Sequence, residues 1–239
     1  MKTVIKLALI CVTTVTSIVS LGQTVKTMKP TIGAPNNYSK QEQALWQKTL
    51  DNYEKYQTLN SFDKAMIDSL EMGYGPMTQG PGCSWYCGGI MKEVTSDSYL
   101  KGAGNINYNP DNLHDFNLLT AWVPDTVGGA IGRKINFHFE PLSPRVNEIM
   151  IYNGYIKNYD LFKANSRVKK FRLYINNKPF AILELADTTA QQSFSIPPTR
   201  STVKNKDLIL TFEIMEIYKG DRYLDVAVSE INFSGLDVH

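Results

Sequence analysis

The feature that most constrains the fold of this chain is an alternation of apolar and polar side chains that begins near Val94. Ile135, Phe137 and Phe139 alternate with polar residues, and the segment from Leu208 to Ile214 repeats the pattern. An alternation with a period of two gives a β-strand one apolar face and one polar face. No helical pattern lies between these segments, so the sequence predicts a mainly β fold, an antiparallel jelly-roll β-sandwich.

Turn-forming residues interrupt the alternation and so mark where the predicted strands end. They occur as Asn176-Asn177, as Pro197-Pro198 and within Lys219 to Asp221. The remaining predicted strands are marked by Ile149 with Ile151, by Phe171, Leu173 and Ile175, by Phe180 with Ile182, and by Ile231 with Phe233.

The residues before the sandwich follow other patterns. Two lysines followed by a short, uncharged apolar stretch predict a secretory signal peptide, whereas a membrane anchor needs about 17–25 apolar residues. Further on, Ser39 and Glu42 predict a capping box at the start of a helix, and Ser61 is the predicted cap of a second helix. The predicted organisation is a signal peptide (1–23), a linker rich in Pro and Asn (24–38), a helical segment (39–75) and the β-sandwich domain (76–239).

Export places the mature chain in an oxidising compartment, either the periplasm or the extracellular space. Cys83 and Cys87 lie close together between glycines, and such a pair outside the cytosol usually forms a disulfide. A redox-active pair or a zinc site are the alternatives, but the first favours a C-x-x-C spacing and the second needs further ligands. No later stretch predicts a membrane span.

The net charge argues against a polyanionic partner. The chain has 25 Lys and Arg against 23 Asp and Glu, a formal charge of +2. Both excess lysines lie in the predicted signal peptide, so the mature chain is formally neutral. Nucleic-acid binding depends on basic charge, and we therefore predict no nucleic-acid partner and favour a neutral ligand such as a glycan.

An oxygen-rich loop lies in an irregular stretch between the predicted strands. Asp115, Asn117 and Thr120 present side-chain oxygens within one short segment. Such loops suit Ca²⁺, which binds 6–8 oxygen ligands, although Asp and Asn also form turns by bonding their own backbone. No nucleophile elbow, phosphate loop or zinc helix is present, and the sequence predicts no enzyme and no required cofactor.

Short motifs in the second part of the chain resemble one protein family. The run D-F-N-L-L-T-A-W, at Asp115–Trp122, looks like the D-G-D-x-x-T-x-W signature of coagulation-factor-5/8 type C (discoidin-like, galactose-binding-like) β-sandwiches. S-E-I-N-F, at Ser229–Phe233, resembles the ending of the same fold. The runs G-C-S-W-Y-C-G-G, I-Y-N-G-Y-I-K, N-S-R-V-K-K and Y-K-G-D-R-Y-L-D-V are similar to its NAD-glycohydrolase-type glycan-binding (translocation) branch. The likeness covers roughly Met77 to His239.

The resemblance implies a carbohydrate-binding module with a structural calcium. The family's calcium ligands correspond to Asp115, Asn117, Thr120 and Glu230, although Phe116 and Asn117 replace the usual Gly-Asp. In this family the NAD-cleaving activity belongs to a separate domain, which this chain does not have room for, so the resemblance implies no catalytic residues.

Loops at one end of a sandwich are the expected site of binding, because a rigid double sheet holds them. Aromatic rings stack on sugar faces, and Asn, Arg and His bond the hydroxyls. The alternative role of Trp122 is a position in the core, and the alternative role of Arg167 is an ion pair with an acidic residue. The predicted ligand-binding residues are His114, Trp122, Asn153, Tyr155, Tyr159, Asn165 and Arg167, with Trp85 and Tyr86 as exposed aromatics beside the predicted disulfide.

The leading hypothesis is therefore a secreted, non-catalytic module that binds a glycan or a glycosylated surface. One alternative is a protein-interaction scaffold whose helical segment docks a partner. A hydrolase is the weaker alternative, because no spacing of acidic residues singles out a catalytic pair.

Overall fold

The structure is a computed structural model that describes residues 25–36, 39–49, 53–72, 85–89, 91–104, 106–125 and 129–238. Its strands are β1 (Lys26–Met28), β2 (Thr31–Ile32), β3 (Met91–Ser96), β4 (Lys134–Phe139), β5 (Val146–Asn153), β6 (Ser166–Ile175), β7 (Lys178–Glu184), β8 (Gln192–Thr199), β9 (Leu208–Tyr218) and β10 (Val226–Gly235). Its α-helices are α1 (Lys40–Thr49), α2 (Tyr53–Gln57), α3 (Ser61–Met72) and α4 (Tyr159–Ala164), and 3₁₀ turns lie at Trp85–Cys87 and Pro110–Leu113.

The strands form two sheets that pack face to face. The larger sheet has the order β3-β4-β9-β6-β7-β1, and the smaller has the order β10-β5-β8-β2. Neighbours are antiparallel except β1 with β7 and a short pairing at Val226 and Ala227, where β10 runs parallel to β6 and joins the two sheets. The predicted antiparallel β-sandwich is confirmed.

The core lies between the two sheets, where the alternating apolar residues meet. Phe137 of the larger sheet packs edge-on against Phe212, with ring centroids 5.6 Å apart, and against Phe233 of the smaller sheet at 4.9 Å. All three side chains are buried. In β7 the buried residues are Ala181 and Leu183, while the larger Ile182 is only half-buried.

The predicted linker 24–38 contains two short strands, which pair with the sheets. β1 runs parallel to β7, and β2 runs antiparallel to β8. Backbone hydrogen bonds hold them at sheet edges, and their side chains are mostly exposed, so they need no apolar alternation. This is the physical reason that the sequence pattern did not predict these two strands.

The helical segment begins as predicted. The Ser39 N–H donates to Glu42 Oε2 at 2.7 Å, and the Glu42 N–H donates to Ser39 Oγ at 3.1 Å, which confirms the capping box. The cap of α3 is Asn60 and not Ser61, because Asn60 Oδ1 accepts from the Asp63 N–H at 2.8 Å.

The helices pack on the sandwich through one apolar cluster. Leu45, Leu59 and Ile67 are buried together with Leu119, which belongs to the long connection between β3 and β4. Through Leu119 this cluster joins the helical segment to the following domain. Within the described ranges, no helix combines the length and apolarity that crossing a membrane requires. The predicted signal peptide and the boundary at residue 76 lie outside the described residues.

Candidate ligand-binding groove

A groove lies at the end of the sandwich where β5 and β9 end and where β6 and β10 begin. Its volume is about 260 Å³. We name it the tyrosine groove after the three tyrosines that line it. The lining residues are Leu100, Tyr108, Val123, Tyr155, Leu161, Asn165, Tyr223 and Asp225.

One wall of the tyrosine groove depends on a glycine. β5 ends at Asn153, and Gly154 has a φ of 90°, in the left-handed region that favours glycine. A Cβ atom at Gly154 would lie 2.7 Å from Arg167 Cγ and 2.8 Å from a Phe162 ring carbon. The chain therefore turns sharply here and presents Tyr155 to the groove.

The next wall is formed by the short helix α4. Asn158 caps its start by accepting from the Leu161 N–H at 2.8 Å. At its end, both the backbone N–H and the side-chain amide of Asn165 donate to the Leu161 carbonyl, at 3.1 and 2.9 Å. These bonds hold Asn165 and Leu161 in the groove lining.

The loop of residues 219–225 forms the opposite wall and is fixed by backbone contacts. The Tyr223 N–H donates to the Ala164 carbonyl at 2.7 Å, and the Ser166 hydroxyl donates to the Tyr223 carbonyl at 3.1 Å. A Cβ atom at Gly220 would lie only 2.4 Å from the Ala164 carbonyl oxygen, so glycine allows this close approach. The wall is thereby preorganised.

Arg167 lies beneath the groove and ties its walls together. Its guanidinium donates to Asp187 at 2.7 and 3.0 Å, to the Asn165 carbonyl at 2.8 Å and to the Lys219 carbonyl at 3.3 Å. It also lies 5.0 Å from the centroid of the Phe162 ring. Because Arg167 is 2% exposed, the prediction that it binds ligand is wrong; it positions the groove walls.

The chemistry of the tyrosine groove is aromatic, apolar and weakly polar. The rings of Tyr108 and Tyr155 meet edge-on with centroids 6.4 Å apart. Burial raises the pKa of Tyr155 to about 12, with a smaller contribution from Tyr108, so its phenol stays protonated at neutral pH. Asp225 is the one charged residue in the described lining, and Asn165 adds an amide. Acid–base hydrolysis of a glycoside commonly needs a pair of carboxyl groups, and the described lining contains one.

Two predicted ligand residues are buried and have structural roles. Trp122 is 0% exposed, and its indole N–H donates to the Ser98 carbonyl at 3.2 Å. Asn153 is also 0% exposed; its amide donates to the Val168 carbonyl at 2.7 Å and accepts from the Val168 N–H at 3.1 Å. Neither side chain can reach a ligand, so both predictions are wrong.

Three further predicted ligand residues form an aromatic cluster away from the groove. Trp85 is buried, although it was predicted to be exposed, and it packs edge-on against Tyr86 at 5.3 Å. The Tyr86 hydroxyl accepts from the Phe233 N–H at 2.6 Å, and burial raises its pKa. The His114 ring lies 5.1 Å from that of Tyr86, and burial lowers the pKa of His114 to about 4. The prediction for Trp85 is wrong because its ring completes the core, whereas those for the half-buried Tyr86 and His114 stay predictions.

The remaining predictions divide between the groove and its surroundings. Tyr155 and Asn165 do line the groove, whereas the exposed Tyr159 stacks on Phe162 outside the lining. Sequence reasoning missed Tyr108 and Tyr223. The one signal for Tyr223 was an aromatic residue within a charged turn. The groove residues that were not predicted are Leu100, Tyr108, Val123, Leu161, Tyr223 and Asp225.

The four residues predicted to bind calcium converge in one cluster, which we call the carboxylate cluster. Asp115 Oδ2 accepts from the Thr120 hydroxyl at 2.7 Å, and Asp115 Oδ1 accepts from the Asn117 N–H at 2.9 Å. That N–H also donates to Glu230 Oε1 at 3.0 Å. The Asn117 side-chain oxygen accepts from the Leu119 N–H at 3.0 Å, as in the turn that was the alternative interpretation.

Glu230 is the most unusual member of the carboxylate cluster. It is 0% exposed, and within the described residues its Oε2 has no hydrogen-bond partner. Burial raises the pKa of Glu230 well above its ordinary value, and the neighbouring Asp115 raises it further. Across the described residues, no group of three or more His, Cys, Asp and Glu side chains is arranged for a metal ion, so any cation here would rely on neutral oxygens as well.

The structure describes one of the two cysteines of the predicted disulfide. Cys87 ends the 3₁₀ turn at Trp85–Cys87 and is exposed, while Cys83 lies outside the described residues. The Cys83–Cys87 pair stays a prediction.

The geometry of the sandwich and its groove can now be compared with known proteins. The family described as NAD glycohydrolase translocation F5/8 type C domain matches residues 85–234. The chain belongs to this family. The residues that line the tyrosine groove and the buried residues of the core lie inside the matched range. The resemblance seen in the motifs is confirmed. No curated protein sequence matches the chain.

Solved structures give distant likenesses. CpGH89CBM32-5 from Clostridium perfringens, in complex with GalNAc-β-1,3-galactose, is 15% identical with a TM-score of 0.46 and covers 60% of this chain and 94% of its own. The CBM32-1 and CBM32-2 domains of Clostridium perfringens ZmpB are 13% identical with a TM-score of 0.48, covering 90% and 43%. The arabinofuranosyltransferase AftD from Mycobacteria, mutant R1389S, is 14% identical with a TM-score of 0.45, covering 64% and 11%. The matches span less than half of the latter two chains and are too distant to indicate function.

Proposed function

We propose that this protein is a secreted, non-catalytic module that binds a neutral glycan in the tyrosine groove. The observation that carries the proposal is the convergence of Tyr108, Tyr155 and Tyr223 with Asn165 and Asp225 in one preorganised groove. Membership of the translocation-domain family agrees with a binding role. The proposal of export rests on the leader-like residues 1–23.

The side chains match the two surfaces of a sugar. Pyranose rings present C–H faces, on which aromatic and apolar side chains pack, and hydroxyls, which amides and carboxylates bond. The groove has tyrosine and leucine surface for the first, and Asn165 and Asp225 for the second. Asp225 disfavours an acidic sugar, because its carboxylate would lie close to a second negative charge.

Binding to an array of neutral and acidic glycans tests the proposal. We expect the full chain to bind at least one neutral glycan and Tyr223→Ala to bind it about tenfold more weakly, the loss that a stacking contact of about 1.4 kcal/mol gives. Tyr223 is 38% exposed, so its truncation should leave the fold intact. The matched control is Tyr159→Ala, an exposed tyrosine outside the groove. No binding to any sugar, or equal loss in both variants, contradicts the proposal.

We also propose that the carboxylate cluster holds a structural calcium. The donor set fits, because Asp115, Thr120 and Glu230 offer the oxygens that Ca²⁺ prefers and the buried Glu230 Oε2 has no partner among the described residues. Bound calcium would supply positive charge beside the buried Glu230 carboxylate and no chemistry on the ligand. Asp115 and Glu230 would provide the charged ligands, and Asn117 and Thr120 would provide neutral oxygens.

A further inference from the structure

A second groove lies at the other end of the sandwich. β6 starts at the tyrosine groove and runs for ten residues to Ile175, which spans about 30 Å. Beyond it, the β6–β7 turn, the loop before β9 and the start of β3 surround a groove of about 330 Å³. We name it the asparagine groove; its polar and charged lining residues are Lys92, Asn176, Asn177, Asn205, Lys206 and Asp207.

Two of its three asparagine side chains are available to a ligand. The Asn176 side chain is engaged, because its Oδ1 accepts from the Ile209 N–H at 2.9 Å. Asn177 and Asn205 have φ values of 65° and 61°, which Asn tolerates better than most residues. Both are exposed, and within the described residues neither side-chain amide makes a hydrogen bond. Free amides that can both donate and accept suit sugar hydroxyls.

The charges of the asparagine groove do not cancel. Lys92 Nζ lies 3.4 Å from Asp207 Oδ2, and His138 Nδ1 lies 3.9 Å from the same oxygen. Lys206 makes no ion pair with any described residue and is exposed. Two lysines against one carboxylate leave a positive charge beside the amides, and this arrangement favours an anion and not a cation.

The lining also includes an apolar surface. Ile209 lies on the outer face of β9, is half-buried and lines the groove together with the polar residues. Amide groups for hydroxyls, an apolar contact for a C–H face and a lysine for a negative substituent occur together here. None of these residues belongs to the tyrosine groove.

We propose that the asparagine groove is a second saccharide site, which takes an acidic sugar with its carboxylate or sulfate at Lys206. The site is separate from the tyrosine groove, so the proposals for the two grooves can be tested independently. The protein would then bridge two kinds of sugar, a neutral one at one end and an acidic one at the other.

Calorimetric titration of the full chain with three probes tests this proposal. The probes are trigalacturonic acid, a sulfated galactotriose and neutral galactotriose, so that carboxylate and sulfate are compared. We expect at least one acidic probe to bind at least tenfold more tightly at this site than the neutral probe. Absence of binding by both acidic probes, or equal binding of all three, overturns the proposal.

Substitutions in the groove test where the acidic probe binds. Lys206→Gln should weaken the acidic probe about tenfold, because it removes a charge-assisted contact. The neighbouring exposed Lys204→Gln is the matched control and should change nothing. Asn177→Gly with Asn205→Gly keeps the left-handed backbone and should weaken binding about threefold to tenfold. If Tyr223→Ala abolishes acid binding while Lys206→Gln does not, the acid occupies the tyrosine groove and the proposal is wrong.

Discussion

At one end of the sandwich, three tyrosines and a single carboxylate line a groove that a buried arginine holds together. At the other end, exposed asparagines and lysines line a groove of similar size on tight turns. Each end also has an arginine–aspartate pair. Arg167 with Asp187 is 3% and 34% exposed in its side chains, whereas Arg145 with Asp237 is 41% and 31% exposed.

The difference lies in how each end is built. The walls of the tyrosine groove are bonded to each other through Arg167, so they keep their shape without ligand. The asparagine groove depends on local turn geometry, where Asn176 is bonded to β9 and its neighbour Asn177 is not. Preorganisation lowers the entropy lost on binding, so we expect the tyrosine groove to be the stronger site.

The largest effect is expected from Arg167→Met. The variant removes the partner of Asp187 and the bonds to the carbonyls of Asn165 and Lys219, so it should lower the free energy of unfolding by roughly 3 kcal/mol. Chemical denaturation measures this loss. Arg145→Met at the other end should leave the midpoint unchanged, because exposed ion pairs contribute little. Equal effects of the two variants would show that the ends do not differ.

A smaller effect is expected at the left-handed residues of the two ends. Gly154→Ala should cost about 2 kcal/mol, because the new Cβ atom meets Arg167 and Phe162 at a φ of 90°. Asn177→Gly has open surroundings and should change stability by less than about 1 kcal/mol. Thermal unfolding compares them. A neutral Gly154→Ala would mean that the tyrosine wall relaxes and is not rigid.

Calcium provides a milder test, because Asp115, Asn117 and Thr120 of the carboxylate cluster lie in the same β3–β4 connection as Tyr108. At ten times its Kd, calcium should stabilise the fold by about 1.4 kcal/mol, and EDTA should reverse this. Hydrogen exchange should slow within residues 106–125 and stay unchanged at residues 203–207. Glu230→Gln is the control that should abolish the response. An unchanged melting temperature in saturating calcium contradicts the site.

The sequence predicted the strands better than the site, for a physical reason. In a strand with one buried face, the alternation of apolar residues shows which side chains are buried. Ile135, Phe137 and Phe139 are buried as this alternation predicted. No comparable pattern in the sequence marks the residues that line the tyrosine groove. Tyr108 and Tyr223 are far apart in the chain and line one groove only in the folded protein.

Residue type alone also misassigned several polar and aromatic side chains. Trp122 and Arg167 have the chemistry of a sugar site, but the loops around them bury both. The strands β1 and β2 escaped prediction because edge pairing uses backbone groups and leaves side chains exposed. The carboxylate cluster was predictable as a group because three of its members lie within six consecutive residues.

The most direct test of the central claim is an NMR titration of the full chain with the neutral glycan that binds most strongly on the array. We expect chemical-shift changes at Tyr155, Asn165 and Tyr223, and none at Asn177 or Asn205. Shifts confined to the asparagine groove, or no shift at either end, would contradict the assignment of the tyrosine groove as the neutral-glycan site.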